Sequence, residues 1–229
     1  MMPIATQPVL IDQVYQQLVE SIADGSLLPG SRIRQEELAE WLGVSRQPVS
    51  HALQLLKHQG LLTESGKRGL TVAPLDAGRI VDLYQVRTSL DALAARLAAQ
   101  RCAAGSANAS LRRQLEESLE NGASLKPDRP AAVFIQADVD FHTTIYRLSG
   151  NSAIEETVAA QWPHLKRSMG VVLDNPDERL LVWHEHAAIV RFILAGDAQR
   201  AELAAHDHTS RAGSETAKRL APLISNEAA

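Results

Sequence analysis

Along the first 62 positions apolar residues recur at helical spacing in three short stretches, separated by turn residues. Val14, Leu18 and Ile22, with Val19 beside them, predict a first helix ending near Gly25. Leu38, Ala39 and Leu42 share one face of a second, and Gly43 stands where a left-handed carboxy-terminal residue is wanted. Val49, Ala52, Leu53 and Leu56 make the buried face of a third. Ser45 is placed to cap that helix, and Pro48 falls in its first turn, where a missing N–H costs little. Arg46, Gln47 and Ser50 point away from the apolar face at its amino end. The spacing then changes. Leu61-Leu62-Thr63 and Leu70-Thr71-Val72 read as two strands around a turn bearing Gly66, Lys67 and Arg68. Two helices meeting at Gly43-Val44-Ser45 and followed by a hairpin predict a winged helix-turn-helix, its second helix entering a major groove amino end first. Residues 1–8 read as a loose leader.

Pro74 and the stretch from Leu75 to Gly78 break the pattern, so a winged domain is expected over 1–75 and a second domain over 79–222. Beyond the break the pattern is helical throughout. Ile80, Leu83, Val86, Leu90, Leu93 and Leu97 predict a long helix to about Arg101. Leu111, Leu115 and Leu119 carry the next, and Val133, Phe134, Ala137, Phe141 and Ile145 a third that stops at Ser149-Gly150-Asn151. A fourth is expected from Ala153 to Gly170, a fifth from Pro176 to Gly196, and a sixth, capped by Asp197, to about Leu220. About six helices with short connections predict an antiparallel bundle, making the chain mainly α with strands only in the wing.

Composition narrows this further. With 229 residues and 45% hydrophobic content the chain can build two cores, and 4% aromatics favour packed helices. The formal net charge of −4 excludes a general polyanion coat, so DNA contact must come from a local patch. Residues 45–70 supply one, with Arg46, Lys57, Lys67 and Arg68 against Glu64. A lone cysteine, Cys102, excludes an internal disulfide framework and reads as a small apolar filler in a reducing compartment. No apolar run is long enough to span a membrane and no signal peptide is visible, so a soluble, cytoplasmic protein is expected.

Chemistry-bearing residues gather in the helical half. Asp138 and His142 are four apart and share a helical face. His186 and His208 flank the Gly196-Asp197 turn at nearly equal distance, so on an antiparallel pair of helices they reach the same height. One carboxylate and three imidazoles in a bundle core suit a divalent transition metal, zinc first, with nickel or manganese as alternatives. A register shift would exchange His184 and His206 for the second pair; spacing alone leaves both open, as it leaves open that all are ordinary histidines. Arg87 and Asp91 are also four apart. They form either an intrahelical ion pair or an inward-facing guanidinium able to hold a ligand carboxylate with two hydrogen bonds.

Taken together these stretches resemble the GntR family of bacterial transcription regulators, in its FadR-type branch with an all-helical FCD effector domain. The resemblance lies in PGSRIRQEELAEWLGVSRQPVSHALQLLKHQGLL with the GKRGLTV wing, and in DLYQVRTSLDALAARLAAQ, DVDFHTTIY, HEHAAIVRFILAGDAQRA and the closing His208. It covers about residues 10 to 220. It implies a homodimer on a palindromic operator, a small carboxylate effector, and a metal held by Asp138, His142, His186 and His208, with Arg87 toward the effector. It also selects His186 and His208 over their neighbours. Arg34, Arg46, Gln47, Ser50, Lys67 and Arg68 are the expected DNA contacts. Departures are clear: Ser50 and His51 stand where the family pattern has Arg-Glu, Gln47 replaces a common threonine, Leu55 takes an often basic position, and Asp91 replaces a usual glutamate. One missing groove-facing arginine removes about 1–3 kcal/mol at its contact, so operator sequence does not transfer from relatives. The expectation is a metabolite-responsive, dimeric, non-enzymatic regulator. Its alternatives are a ligand-independent dimeric DNA binder and a metal-dependent hydrolase with a DNA-binding domain.

Overall fold

The computed structural model describes residues 8–66 and 69–227 and divides into two compact units between Leu75 and Asp76. In the amino-terminal unit, α1 (Pro8–Ala23), α2 (Gln35–Leu42) and α3 (Arg46–His58) pack through the apolar faces their spacing predicts. Leu18, Val49, Ala52 and Leu56 are fully buried at the centre. The corner between α2 and α3 turns on Gly43, whose φ of 65° is left-handed and whose amide donates to the carbonyls of Ala39 and Glu40. A residue with a Cβ would be strained there. Ser45 occupies the N-cap position of α3 but makes no side-chain capping bond.

The wing strands are β2 (Leu62–Ser65) and β3 (Gly69–Val72), antiparallel with Leu62 opposite Val72 and Ser65 opposite Gly69. A third strand was not expected. β1 (Arg32–Ile33) pairs with β3, giving the sheet order β1-β3-β2. Two residues are too few for alternation to register, and only pairing with β3 makes them a strand. Lys67 and Arg68, the basic wing positions, lie outside the described residues, as do residues 1–7 of the expected leader.

The second unit is helical: α4 (Ala77–Ala103), α5 (Ala109–Ala123), α6 (Ala131–Ser149), α7 (Ser152–Ala159), α8 (Trp162–Leu173), α9 (Pro176–Leu194) and α10 (Ala198–Glu227). The single helix expected over 153–170 is two. Ile154, Val158, Leu165, Met169 and Val172 keep a helical period across the break, which hides it. Pro163 imposes it, because its ring cannot share space with the carbonyl four residues back, so a new helix starts with proline in its first turn. Among the described residues there are therefore seven helices here rather than six. Asp76, Asn108, Asn151, Asn175 and Asp197 each accept a backbone N–H at a helix start.

The core of this unit runs from Ala94, Ala95, Ala98 and Ala99 of α4 through Phe141 and Ile145 of α6 to Ile189 and Ile193 of α9. Alanines on α4 let its neighbours approach closely. Gly213 does the same on α10, where a Cβ would lie 2.7 Å from the Cβ of Tyr84. Cys102 packs against this core as a half-buried, reduced side chain. Among the described residues no helix is long and apolar enough to cross a membrane.

Candidate functional site

Asp138 and His142 on α6, His186 on α9 and His208 on α10 meet inside the helical unit, each no more than 4% exposed. One ligand atom from each lies within 4.8 Å of all the others. His186 Nε2 is 3.2 Å from His208 Nε2 and 3.5 Å from Asp138 Oδ1, while His142 Nε2 is 3.7 Å from Asp138 Oδ2. The alternatives by register, His184 and His206, are exposed, and Asp140 sits on the outer face of α6, accepting from Gln136.

Arg87 comes to the same place. It is 2% exposed, with Nε 3.3 Å from Asp91 and a terminal nitrogen 3.6 Å from Asp138, and its guanidinium lies over the Trp162 ring at 4.8 Å. The intrahelical pair and the inward orientation are thus both present. Asp91 is further held by the Tyr146 hydroxyl and by Thr209 at 2.7 Å, and His142 Nδ1 is 3.5 Å from it. A second carboxylate, Glu185, accepts from His208 Nδ1 at 2.7 Å and is itself clamped by Arg211 at 2.5 and 2.8 Å. That bond fixes the proton of His208 on Nδ1 and leaves Nε2 facing the cluster as a lone-pair donor. Phe141 stacks on His186 at 3.9 Å and holds its ring plane.

Burial controls the electrostatics. It pushes His142 and His186 well below the ordinary histidine range, helped by Arg87 and by the neighbouring imidazoles. Both are therefore neutral ligands at pH 7. Burial also raises the Asp138 carboxyl, against the pull of Arg87 and His208. On Arg87 burial opposes the charge, but Asp91, Tyr146 and Asp138 outweigh it and the guanidinium stays charged. Glu185 is held below its usual value, since its bonds to His208 and Arg211 outweigh its partial burial.

The residues present fit a metal ion. Asp138 Oδ2 and His142 Nε2 are buried with no hydrogen-bond partner among the described residues, an arrangement that costs about 1–3 kcal/mol per group unless something accepts their lone pairs. Separations of 3.2–3.7 Å between His186 and His208, His186 and Asp138, and His142 and Asp138 are short enough for one ion to bridge, within a set whose ligand atoms all lie within 4.8 Å of one another. Three imidazoles and a carboxylate are an intermediate donor set suited to late first-row divalent ions.

In the amino-terminal unit the candidate groups are on the outside. Arg34 and Arg46 line one groove of about 590 Å³ with Arg32, Gln35 and Leu70. Arg46 pairs with Glu36 at 3.0 Å and Arg34 with Glu37 at 2.5 Å, all four side chains exposed. Gln47 is exposed and Ser50 half-buried near the amino end of α3. Lys57, counted in the basic patch, is tied to Glu64. The positive patch is thus partly neutralised by its own neighbours, though exposed pairs of this kind are weak enough for a phosphate to displace.

A family model for bacterial regulatory proteins of the gntR family matches residues 10–72, and one for the FCD domain matches residues 82–211. The chain belongs to the GntR family. Regulators with this pair of domains are DNA-binding transcriptional regulators, and the FCD domain points to binding of a small-molecule effector. The chain is 30% identical over 200 residues to an uncharacterized HTH-type transcriptional regulator of Streptomyces ambofaciens, covering 85% of this chain and 80% of that protein. It is 38% identical over 130 residues to the Nta operon transcriptional regulator of Aminobacter aminovorans, covering 57% of this chain and 59% of the other. The solved structure of E. coli McbR/YncC superposes with a TM-score of 0.78 at 20% identity, over 92% of this chain and 98% of that one, a likeness of fold.

Four participants escaped the sequence reading of this GntR-family chain. Arg32 enters the groove only because β1 pairs with β3. Tyr146 and Thr209 reach Asp91 from 55 and 118 residues away, beyond any local pattern. Glu185 did carry a signal, as the residue beside His186, but its target is on α10.

Proposed function

We propose that the helical unit of this transcriptional regulator holds a divalent transition metal, zinc first, on Asp138, His142, His186 and His208. Beside it, a small carboxylate metabolite is received, and its binding changes how a dimer grips a palindromic operator. The observation that carries this is that Asp138 Oδ2 and His142 Nε2 are buried without a hydrogen bond and lie 3.7 Å apart, with an Arg87 nitrogen 3.6 Å from the same oxygen. When bound, the metal supplies a Lewis-acid position for one carboxylate oxygen. Arg87 presents a fixed positive charge to the same carboxylate, oriented by Asp91. Glu185 holds His208 so that its ring need not reorient.

At the DNA, Arg46, Gln47 and Ser50 at the amino end of α3 meet base edges or nearby phosphates. Arg34 adds a phosphate contact, and Lys67 and Arg68 do the same from the wing. Effector binding shifts operator affinity only through its preference for one dimer arrangement, which a palindrome reads as the spacing of its two recognition helices.

Elemental analysis of purified protein and of two variants tests the centre. The parent is expected to carry one divalent ion per chain. Glu185→Gln should weaken metal affinity roughly 10–100-fold, the range for losing an orienting partner, and His208→Ala should lose more than that. Undiminished metal in His208→Ala would refute the assignment.

A further inference from the structure

We infer that the effector is a monocarboxylic acid with a short hydrocarbon tail, and that the site disfavours polyhydroxylated acids. This rests on the receptor function proposed above and deepens it. A small cavity of about 30 Å³ adjoins the cluster, room for roughly one or two waters. Its lining is of two kinds. Arg87, Asp138 and His208 belong to the candidate centre, with Tyr84 and Thr209 also on the wall. The rest is apolar, chiefly Met169, Val172 and Leu173 of α8 with Val182 of α9, each 5–6% exposed.

These four apolar residues are buried and each contributes to the lining of the cavity. The nearby Thr209 hydroxyl is already donated to Asp91. Arg179 donates to the Leu173 carbonyl and to that of Pro127, so it fixes the carboxy end of α8 without presenting its charge to the cavity. A carboxylate head set against Arg87 therefore sends its remaining atoms toward methyl, methylene and thioether groups. Hydroxyls directed there would lose water and gain no partner, while C–H groups gain by leaving water. At about 30 Å³ the cavity is smaller than the acid, so even a short acid enters only as α8, twelve residues between the Gln161 break and Asn175, withdraws, and each added carbon requires more of that movement.

The experiment is a titration of the full-length protein, metal-loaded and separately metal-stripped, with butanoate and isovalerate against the similarly sized glycerate and the larger gluconate. Calorimetry and thermal shift give the readout. The expected result is that the hydrocarbon acids bind at least roughly tenfold more tightly, the discrimination available to an apolar pocket. Val182→Thr, which keeps the side-chain shape and adds a hydroxyl, should shrink that ratio while leaving metal uptake unchanged. Equal or tighter binding of glycerate or gluconate would overturn the inference, and so would binding of neither series. Metal content is read separately. A metal-free protein that still prefers butanoate would remove the metal centre and keep the tail preference; a metalloprotein without that preference would do the reverse.

Discussion

In the amino-terminal unit the interior is apolar and the candidate functional groups are outside: Arg34, Arg46 and Gln47 are all exposed. In the helical unit the arrangement is inverted. Asp138, His142, His186, His208, Arg87 and Asp91 occupy the inside, none more than 4% exposed. The difference follows from what each unit must recognise. A duplex is a large, charged, hydrated surface, and groups that meet it exchange one set of water contacts for another at little cost to the fold. A small acid is bound by surrounding it, so the groups that hold it must be desolvated beforehand. That is expensive unless each charge is paired. Arg87 has Asp91 and Asp138, Asp91 has Tyr146 and Thr209, and Glu185 has Arg211. Functional substitutions should therefore unfold one unit and leave the other standing.

The largest effect expected from that asymmetry is at Asp91. Asp91→Ala strips Arg87 of its nearer counter-charge and leaves the Tyr146 and Thr209 hydroxyls unpaired within the core. Breaking a buried pair from one side costs about 3–5 kcal/mol. Urea unfolding of the full chain, followed by a probe in the helical unit, should show a loss of that size. A loss below about 1 kcal/mol, the scale of an exposed pair, would mean that the Asp91 network is not the interior scaffold described.

The same asymmetry explains how much could be read from the sequence. The helix-turn-helix is specified by neighbours: Gly43 supplies the left-handed turn, Pro48 sits in the first turn of α3, and the apolar faces repeat within one helix. Asp138 with His142 was legible for the same reason; the Gly196-Asp197 turn put His186 and His208 at one height but left His184 and His206 open by register, and the family resemblance chose between them. What was not legible depends on distant partners. β1 exists only by pairing with β3, and Tyr146 and Thr209 meet Asp91 only once α4, α6 and α10 are packed. The break before α8 was written locally in Pro163, but the apolar period from Ile154 to Val172 runs through it and masks it.

Next in size is the response of the metal-stripped protein to acid. His142 and His186 are held below the ordinary value of 6.5 in the fold. The unfolded chain takes up their protons as pH falls through that value and the folded chain does not, so stability declines with falling pH. Each histidine contributes up to about 1.4 kcal/mol per pH unit below that point. Asp138 opposes this, because its raised carboxyl binds its proton first in the folded state. One opposing proton offsets at most one of two. Denaturation midpoints measured from about pH 7.5 to about pH 5.5 should fall, and His142→Asn should flatten the slope. A flat profile in the parent would show that the imidazoles are solvated.

The smallest effect on stability, and the sharpest contrast with Asp91, is at Arg46. Its guanidinium is exposed and, among the described residues, its ion pair is with Glu36, so Arg46→Ala should change folding stability by no more than about 0.5 kcal/mol. Its effect should appear on DNA instead. Loss of a contact from the amino end of α3 should weaken operator binding by about 1–3 kcal/mol if the contact is to a base edge, with discrimination lost at one position. If the contact is to a phosphate, binding weakens for all sequences alike and the salt dependence drops by about one charge. Fluorescence anisotropy across a salt series, with operator and scrambled duplexes, separates the two. Glu36→Gln supplies the control: by freeing Arg46 from its intrachain partner it should tighten DNA binding slightly. If Arg46→Ala instead left affinity untouched while Glu36→Gln raised it, the acidic side chain would be shielding some other cation of the groove, and Arg32, beside Arg46 and Arg34 on its wall, would take the role assigned to Arg46.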